Sequence, residues 1–155
     1  MSNPETRLQE LHLTLPDVPK PMAVYKSAVR VGNLVFVSGH GPLKSDGKMI
    51  VGRVGHDMTM EQGKDAARQV GLAVLATLKN TLGSLNKVKR LVKTLGWVNC
   101  TADFTDQPKV MNGWSELMKD VFGEDNGVGA RSAESAHTLP AGIAVEVEAI
   151  FEVEA

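Results

Sequence analysis

The sequence has little cysteine and few aromatic residues. Cys100 is its single cysteine, and aromatic residues make up 5% of the 155 positions. One cysteine excludes an intrachain disulfide framework and any zinc or iron–sulfur site that needs several cysteines. The four histidines show no metal-ligand spacing, so we expect no metal site. Cys100 itself is expected to be a small buried hydrophobe in a protein of a reducing compartment.

The chain also lacks an excess of charge of either sign. Its 17 Lys and Arg residues stand against 18 Asp and Glu residues, which gives a formal net charge of −1 and no global attraction to nucleic acid or an anionic membrane. The longest apolar runs, such as residues 34–37, are far too short to span a bilayer. The first residues lack the basic-then-apolar pattern of a secretory signal. We therefore expect a cytoplasmic protein without a membrane partner.

What is present is the composition of an ordinary globular domain, with 43% hydrophobic and 23% charged residues. A chain of this length can bury one hydrophobic core without disulfides or structural metal ions, so we predict one domain over residues 1–155. Leucines at helical spacing predict a short N-terminal helix, and Pro16, Pro19 and Pro21 predict an extended lead-in to residue 22. The core is predicted over residues 24–153.

Hydrophobic periodicity and turn residues predict the element order β-β-α-β-α-β-β after the N-terminal helix. The first long helix has a capping box at Thr59 and Gln62 and ends at Gly83. The next is capped by Asp106 and ends at Gly123. This order predicts an α+β domain with two helices packed on one face of a single sheet. Strands are expected at residues 25–30, 34–38, 88–99, 130–138 and 144–153, with a glycine-rich loop at 127–129 before the fourth.

That arrangement leaves the second face of the sheet without cover. In the last strand, alternation places Glu146, Glu148, Ile150 and Glu152 on the side opposite to the valines. An apolar patch on a protein surface normally marks an interface, so homo-oligomerisation is the economical explanation of an open sheet face. The mostly acidic side of this strand is also compatible with a solvated face.

The motifs of several common enzyme classes are missing. The chain has no nucleophile elbow, no phosphate-binding loop, no zinc-protease motif and no dinucleotide fingerprint. Arg131 opens a strand after the glycine-rich loop, where a guanidinium can hold a carboxylate with two hydrogen bonds, although a solvated or salt-bridged arginine is common there. Ser38 and Gly39 fit a turn or a backbone cradle for a ligand. Glu146 fits the polar side of a strand, and Tyr25 fits the edge of a core.

Four segments between Val24 and Val153 form a specific combination. They are Tyr25 followed by residues 31–39 (VGNLVFVSG), residues 129–133 (GARSA), Leu139-Pro140 and residues 145–149 (VEVEA). Together they resemble the reactive intermediate deaminase (RidA) family, also called the YjgF or endoribonuclease L-PSP family.

The resemblance implies a chorismate-mutase-like fold that assembles as a homotrimer, with clefts between neighbouring subunits. Members of the family hydrolyse reactive 2-imino acids and enamines, such as 2-iminopropanoate and 2-aminoacrylate, to a 2-oxo acid and ammonia without a cofactor. By this resemblance Arg131 holds the substrate carboxylate, Glu146 positions water and Tyr25 lines the cleft. Ser38, Gly39 and Asn112 are the remaining positions that match ligand contacts.

Three positions differ from the family pattern and predict a divergent branch. Gly129 stands where proline is usual, Ala133 where many members have cysteine, and His40 where deaminases commonly have glutamine. A second hypothesis is therefore a non-catalytic trimer that binds small carboxylates such as 2-oxo acids. A third is RNA cleavage or translation inhibition, which only the basic residues within 87–93 favour. The net charge and the few aromatic residues oppose it, so we expect no nucleic-acid partner.

Overall fold

The computed structural model describes residues 2–155, which form a five-stranded sheet with helices on one of its faces. The elements in chain order are α1 (Pro4–Glu10), β1 (Ala28–Val31), β2 (Leu34–His40), α2 (Met60–Leu82), β3 (Val88–Asn99), α3 (Gln107–Phe122), α4 (Glu124–Gly127), β4 (Ala130–Ala136) and β5 (Val145–Val153). Short 3₁₀ turns occupy Leu85–Lys87 and Pro140–Gly142. This mixed α+β architecture confirms the predicted fold class, and the element order is as predicted except for the additional short helix α4 between α3 and β4.

The strands lie in the order β1-β2-β5-β3-β4. β3 and β4 are parallel, and the other neighbouring pairs are antiparallel. The hairpin of β1 and β2 turns at Gly32, whose φ of 60° is a conformation that glycine adopts without strain. β1 and β4 are the edge strands, so the two edges of the sheet are roughly 19 Å apart at the usual strand spacing.

The long helix α2 begins and ends as its sequence predicts. The Thr59 hydroxyl accepts from the Gln62 backbone N–H at 3.2 Å, and the Gln62 side chain accepts from the Thr59 N–H at 2.9 Å. Gly83 ends the helix with a left-handed φ of 82°. α3 packs closely on α2 because Gly113 has no side chain; a Cβ there would collide with the carbonyl of Lys64.

The core lies between this helix pair and the inner face of the sheet. Trp114 of α3 is completely buried, and its indole N–H donates to the hydroxyl of Thr94 in β3 at 2.9 Å. Trp97, three positions along β3, lies on the opposite, open face of the sheet and is only partly buried. The inward residues of β5, from Val145 to Val153, are buried as the alternation predicts.

The open face is partly apolar. Val29 is 46% exposed and its cross-strand partner Phe36 is 42% exposed. With Leu95 and Ile150 they line a depression of about 350 Å³, which Lys93 and Glu148 border. The chain before β1 is also exposed over residues 22–25. A separate chain therefore displays apolar surface along one sheet face and the adjoining lead-in.

Several predicted boundaries are wrong by a few residues. The first strand begins at Ala28, because the regular ladder with β2 ends at Val37 and residues 25–27 leave the sheet. The second strand continues past residue 38 to His40, where pairing with β5 resumes. The fourth strand ends at Ala136, opposite the last residue of β3, and not at residue 138.

Two features of the second helical region also differ from expectation. Asp106 occupies the N-cap position of α3, but its side chain accepts no capping hydrogen bond and lies 3.4 Å from the Nζ of Lys109. The predicted loop at 127–129 begins later, because Gly127 ends the short helix α4. A Cβ on Gly127 would collide with the carbonyl of Met118, so glycine allows α4 to pack on α3. No helix within residues 2–155 is long and apolar enough to cross a membrane.

Candidate functional site

The guanidinium of Arg131 is held by three neutral oxygens. Its Nη1 donates to the Asn112 Oδ1 at 2.9 Å and to the Ser115 Oγ at 3.1 Å, and its Nη2 donates to the Pro108 carbonyl at 3.4 Å. None of the ion pairs among residues 2–155 includes Arg131. Partial burial lowers the pKa of this guanidinium from its ordinary value, but an arginine stays charged at neutral pH.

The helix α3 supplies this support because of its residue spacing. Pro108, Asn112 and Ser115 follow one another at intervals of four and three residues, which places them on one side of the helix. Arg131 is the second residue of β4 and pairs with Thr94, whose side chain bonds Trp114 in the helix layer. Arg131 therefore projects from the helix-covered side of the edge strand β4.

Gly129 fits the close approach of β4 to β3. A Cβ at this position would lie 2.7 Å from the Leu91 carbonyl oxygen. Proline, which is usual here in the resembling family, would bring such a Cβ. Glycine in place of proline at position 129 therefore allows the backbone to lie close to Leu91, two residues before Arg131.

The carboxylate of Glu146 lies against Gly39 on the other side of the sheet. A Cβ built on Gly39 would be 2.6 Å from the Glu146 Oε1 and 3.0 Å from its Cδ, so only glycine leaves room for this side chain. Burial, with a smaller contribution from the negative charge of Glu148, raises the pKa of Glu146 above its ordinary value. A carboxyl group with a raised pKa is suited to accept a proton near neutral pH and return it.

Ser38 and Gly39 form a β-bulge in β2. Val37 pairs with Ala149 and His40 pairs with Val147, so two residues of β2 stand opposite one residue of β5. The Ser38 hydroxyl donates to the Lys26 carbonyl at 2.6 Å. The Nδ1 of His40 contacts the carbonyl of Ser38, not its hydroxyl, so these two side chains form no nucleophile–base pair.

Tyr25 lies outside the regular sheet, in the exposed lead-in before β1. The residue is 46% exposed, and its hydroxyl accepts from the Met22 backbone N–H at 3.3 Å. β1 is the edge strand opposite to β4, so Tyr25 and Arg131 belong to opposite edges of one sheet.

Apart from Tyr25, the predicted site residues form two separate groups. We call Arg131 with Asn112 the guanidinium group, and Glu146 with Ser38 and Gly39 the carboxylate group. Arg131 pairs with Thr94 and Glu146 with Trp97; these partners are three positions apart in β3 and face opposite sides of the sheet. A single chain does not bring the two groups together.

The contacts of Ser115 and Pro108 with Arg131 were missed by sequence reasoning. Their spacing from Asn112 was a usable signal, because residues three and four apart share a helix face. The contacts of His40 were missed as well, since nothing in the sequence indicates that it is buried beside Thr77.

The sequence and the fold are similar to those of known proteins. Protein TCP17 of Trypanosoma cruzi is 40% identical over 146 residues, which cover 94% of this chain and 91% of that protein. The 2-iminobutanoate/2-iminopropanoate deaminase of Dermatophagoides farinae is 27% identical over 143 residues, covering 92% of this chain and 95% of that protein. The crystal structure of Atu1372 from Agrobacterium tumefaciens, whose function is unknown, has a TM-score of 0.88 at 38% identity and covers 97% of this chain and 94% of its own.

A comparison with models of protein families identifies the family of this chain. The model of the YjgF/chorismate-mutase-like endoribonuclease family matches residues 5–144, which is most of the chain. The match agrees with the resemblance found in the sequence and with the mixed sheet and its helix layer. The chain therefore belongs to the YjgF/chorismate-mutase-like family, also called the RidA family.

Proposed function

We propose that the protein hydrolyses reactive 2-imino acids and their enamine tautomers to 2-oxo acids and ammonia. The observation that carries this proposal is the guanidinium of Arg131, which three neutral oxygens orient and no carboxylate within residues 2–155 neutralises. A charged fork fixed in this way is suited to bind a carboxylate through two parallel hydrogen bonds. The deaminase of Dermatophagoides farinae, to which the chain is similar, supports the same substrate class.

Glu146 provides the proton transfers that hydrolysis of an imine needs. The imine reacts as its protonated iminium form, and a water molecule held by the carboxylate attacks the electrophilic carbon while Glu146 takes one proton from the water, which gives a neutral carbinolamine. The protonated Glu146 then returns that proton to the amine nitrogen. As the C–N bond breaks, the hydroxyl proton of the carbinolamine passes to the Glu146 carboxylate and the carbon becomes the carbonyl of the 2-oxo acid. Glu146 gives this proton to the departing ammonia, which leaves as ammonium, and the carboxylate is regenerated. The raised pKa of Glu146 supports this exchange.

The two groups meet in this proposal between neighbouring copies of the chain. Because the guanidinium and carboxylate groups occupy opposite faces of one sheet, each copy offers one group to each of two neighbours. The apolar patch around Val29 and Phe36 and the exposed lead-in with Tyr25 are the surfaces that such an assembly covers. A homotrimer, which the family resemblance favours, closes this arrangement with three clefts.

The test is the rate at which 2-oxo acid forms when an amino-acid oxidase or dehydratase generates imines in the assay. Wild-type protein is expected to accelerate 2-oxo acid release. Arg131→Ala is expected to lower kcat/KM at least about a hundredfold, because one partner of a charge-assisted pair is lost. Arg68→Ala, which removes a partly exposed arginine paired with Asp120 on the helix side, is the matched control and leaves the rate unchanged. The absence of acceleration for every imine tested overturns the proposal.

The second candidate is a binder of small carboxylates without turnover. The guanidinium group favours it, since Arg131 and its three supports are complete within one chain and need no Glu146 to hold an anion. A binder is stabilised against heat by 2-oxo acids, and Arg131→Ala removes that stabilisation, while imine loss stays at the rate of buffer.

A further inference from the structure

His40 is buried between the sheet and α2, with both ring nitrogens in short contacts. It is 5% exposed. Its Nδ1 lies 2.6 Å from the Ser38 carbonyl oxygen, and its Nε2 lies 2.7 Å from the hydroxyl of Thr77. These contacts join the β-bulge next to Glu146 to the middle of α2.

The partners determine how the ring is protonated. A carbonyl oxygen only accepts, so the Nδ1 of His40 carries a hydrogen and donates it to Ser38. Burial lowers the pKa of His40, which favours the neutral ring. The Nε2 of the neutral ring is then an acceptor, and the Thr77 hydroxyl donates to it. Both hydrogen bonds therefore have a defined direction.

The bulge explains why His40 points into the helix layer. Residues three apart in a regular strand face opposite sides, yet both Val37 and His40 are buried on the helix-covered side. The extra residue at Ser38 and Gly39 restores the direction of the chain for His40. The His40 ring, which the bulge directs toward the helix layer, hydrogen-bonds to the carbonyl of Ser38 within the same bulge.

The same bulge supports the carboxylate of Glu146. The space between Gly39 and the Glu146 Oε1 is too small for a methyl group, so this carboxylate packs directly against the backbone of the bulge. We infer that His40 and Thr77 are positioning residues that hold the Ser38–Gly39 bulge where Gly39 supports the Glu146 carboxylate. The consequence for turnover rests on the proposed function.

The experiment compares four variants. His40→Leu removes both hydrogen bonds and keeps an apolar side chain in the space, whereas His40→Gln keeps one donor and one acceptor. Thr77→Val removes only the donor to Nε2. Thr81→Val, one turn along α2, is the control for the chemical change, because it replaces the same side chain at an exposed position where the hydroxyl bonds only the Thr77 carbonyl.

We expect His40→Leu to lower kcat by about ten- to a hundredfold, since small misplacements of a reacting group have effects of this size. KM and the Kd for the 2-oxo acid product should stay near the wild-type values, because Arg131 is not affected. His40→Gln should recover most of kcat, Thr77→Val should lie between, and Thr81→Val should match wild type. A wild-type kcat in His40→Leu, or equal losses in His40→Leu and His40→Gln, overturns the inference.

Crystal structures of wild type and His40→Leu test the inference separately from the reaction. The Glu146 carboxylate is expected to move away from Gly39 in the variant while the guanidinium group stays unchanged. If the carboxylate keeps its place, the inference is wrong whether or not the protein hydrolyses imines. If it moves but wild type shows no turnover, the proposed function fails and the positioning role stands.

Discussion

Arg131 and Glu146 project from opposite faces of the same sheet, because they pair with Thr94 and Trp97, three positions apart in β3. Each chain therefore holds the guanidinium of one cleft and the carboxylate of another, if the clefts form between copies. This relationship allows the assembly and the chemistry to be tested together.

Two inactive variants are expected to restore activity when they share an assembly. In a closed ring, a cleft is intact when one subunit supplies Arg131 and its neighbour supplies Glu146. Random mixing of Arg131→Ala and Glu146→Gln chains in equal amounts gives about one quarter intact clefts. The measurement is imine hydrolysis after the two chains are unfolded and refolded together.

The control for this mixing experiment is the same pair of proteins refolded separately and then combined. These samples should stay inactive over the time in which subunits do not exchange. A chain with both substitutions, refolded together with wild type, measures how far activity falls when inactive chains dilute active ones in the same assembly. No recovery in co-refolded samples that form mixed assemblies contradicts clefts shared between subunits.

Substitutions at Asn112 are expected to weaken substrate binding in a defined order. Asn112→Ala removes one hydrogen bond to Arg131, and we expect KM to rise severalfold, the effect of about 1 kcal/mol. Asn112→Asp keeps the size of the side chain but places a carboxylate on the guanidinium, where it competes with the substrate carboxylate. KM for the imine and Kd for the 2-oxo acid should therefore rise more in Asn112→Asp than in Asn112→Ala. The reverse order would show that Arg131 does not bind the substrate carboxylate.

Gly39→Ala is expected to displace the Glu146 carboxylate. The new methyl group would lie 2.6 Å from the Oε1, a distance that no stable contact allows. We expect kcat to fall by about a hundredfold with little change in the Kd for 2-oxo acids. Gly32→Asn at the hairpin turn is the control, since that position has a positive φ that asparagine tolerates and open space around it. Wild-type kcat in Gly39→Ala would remove Glu146 from the mechanism.

The stability of the protein is expected to depend on pH through His40. Burial lowers its pKa in the folded state below the ordinary value of 6.5, so the unfolded chain binds more protons in the interval between the two values. The stability associated with the neutral ring is complete above 6.5 and is lost as the pH falls from 6.5 through the folded-state pKa. The groups facing the ring, the Ser38 carbonyl and the Thr77 hydroxyl, do not titrate in this range.

Thermal unfolding of wild type and His40→Gln at one protein concentration measures this dependence. The difference between their unfolding midpoints should shift in favour of the glutamine variant as the pH falls below about 6.5. His56→Gln, which changes an exposed histidine, should follow wild type over the same range. A constant difference between wild type and His40→Gln would mean that His40 has the same pKa in both states.

Local sequence signals predict the helices and strands, whereas the relative positions of the site residues depend on pairing between strands that are distant in the sequence. Thr59, Gln62 and Gly83 mark the ends of α2 because capping depends on residues close in the chain. The four-residue helix α4 was missed because it depends on Gly127 packing against α3. The separation of Arg131 from Glu146 depends on the strand order and on the register of β4 and β5 with β3, which neither residue's neighbours indicate.

The bulge at Ser38 and Gly39 is a second feature that the local sequence does not predict, because it depends on strand pairing. Alternation along residues 34–38 correctly predicts a strand, but the extra residue of the bulge is defined only by the pairing of β2 with β5. The inward direction of His40 follows from that pairing. The sequence resemblance named Ser38, Gly39 and Glu146 as site positions, whereas the contact of the Glu146 carboxylate with Gly39 required the structure.

The placement of the two tryptophans on opposite faces of β3's sheet gives the protein two separate fluorescent reporters. Trp114 is enclosed in the core, so its emission changes when the chain unfolds. Trp97 lies on the open face, and its emission should change when copies associate over that face. Variants with one tryptophan replaced by phenylalanine can therefore follow association and unfolding as distinct events in the same titration.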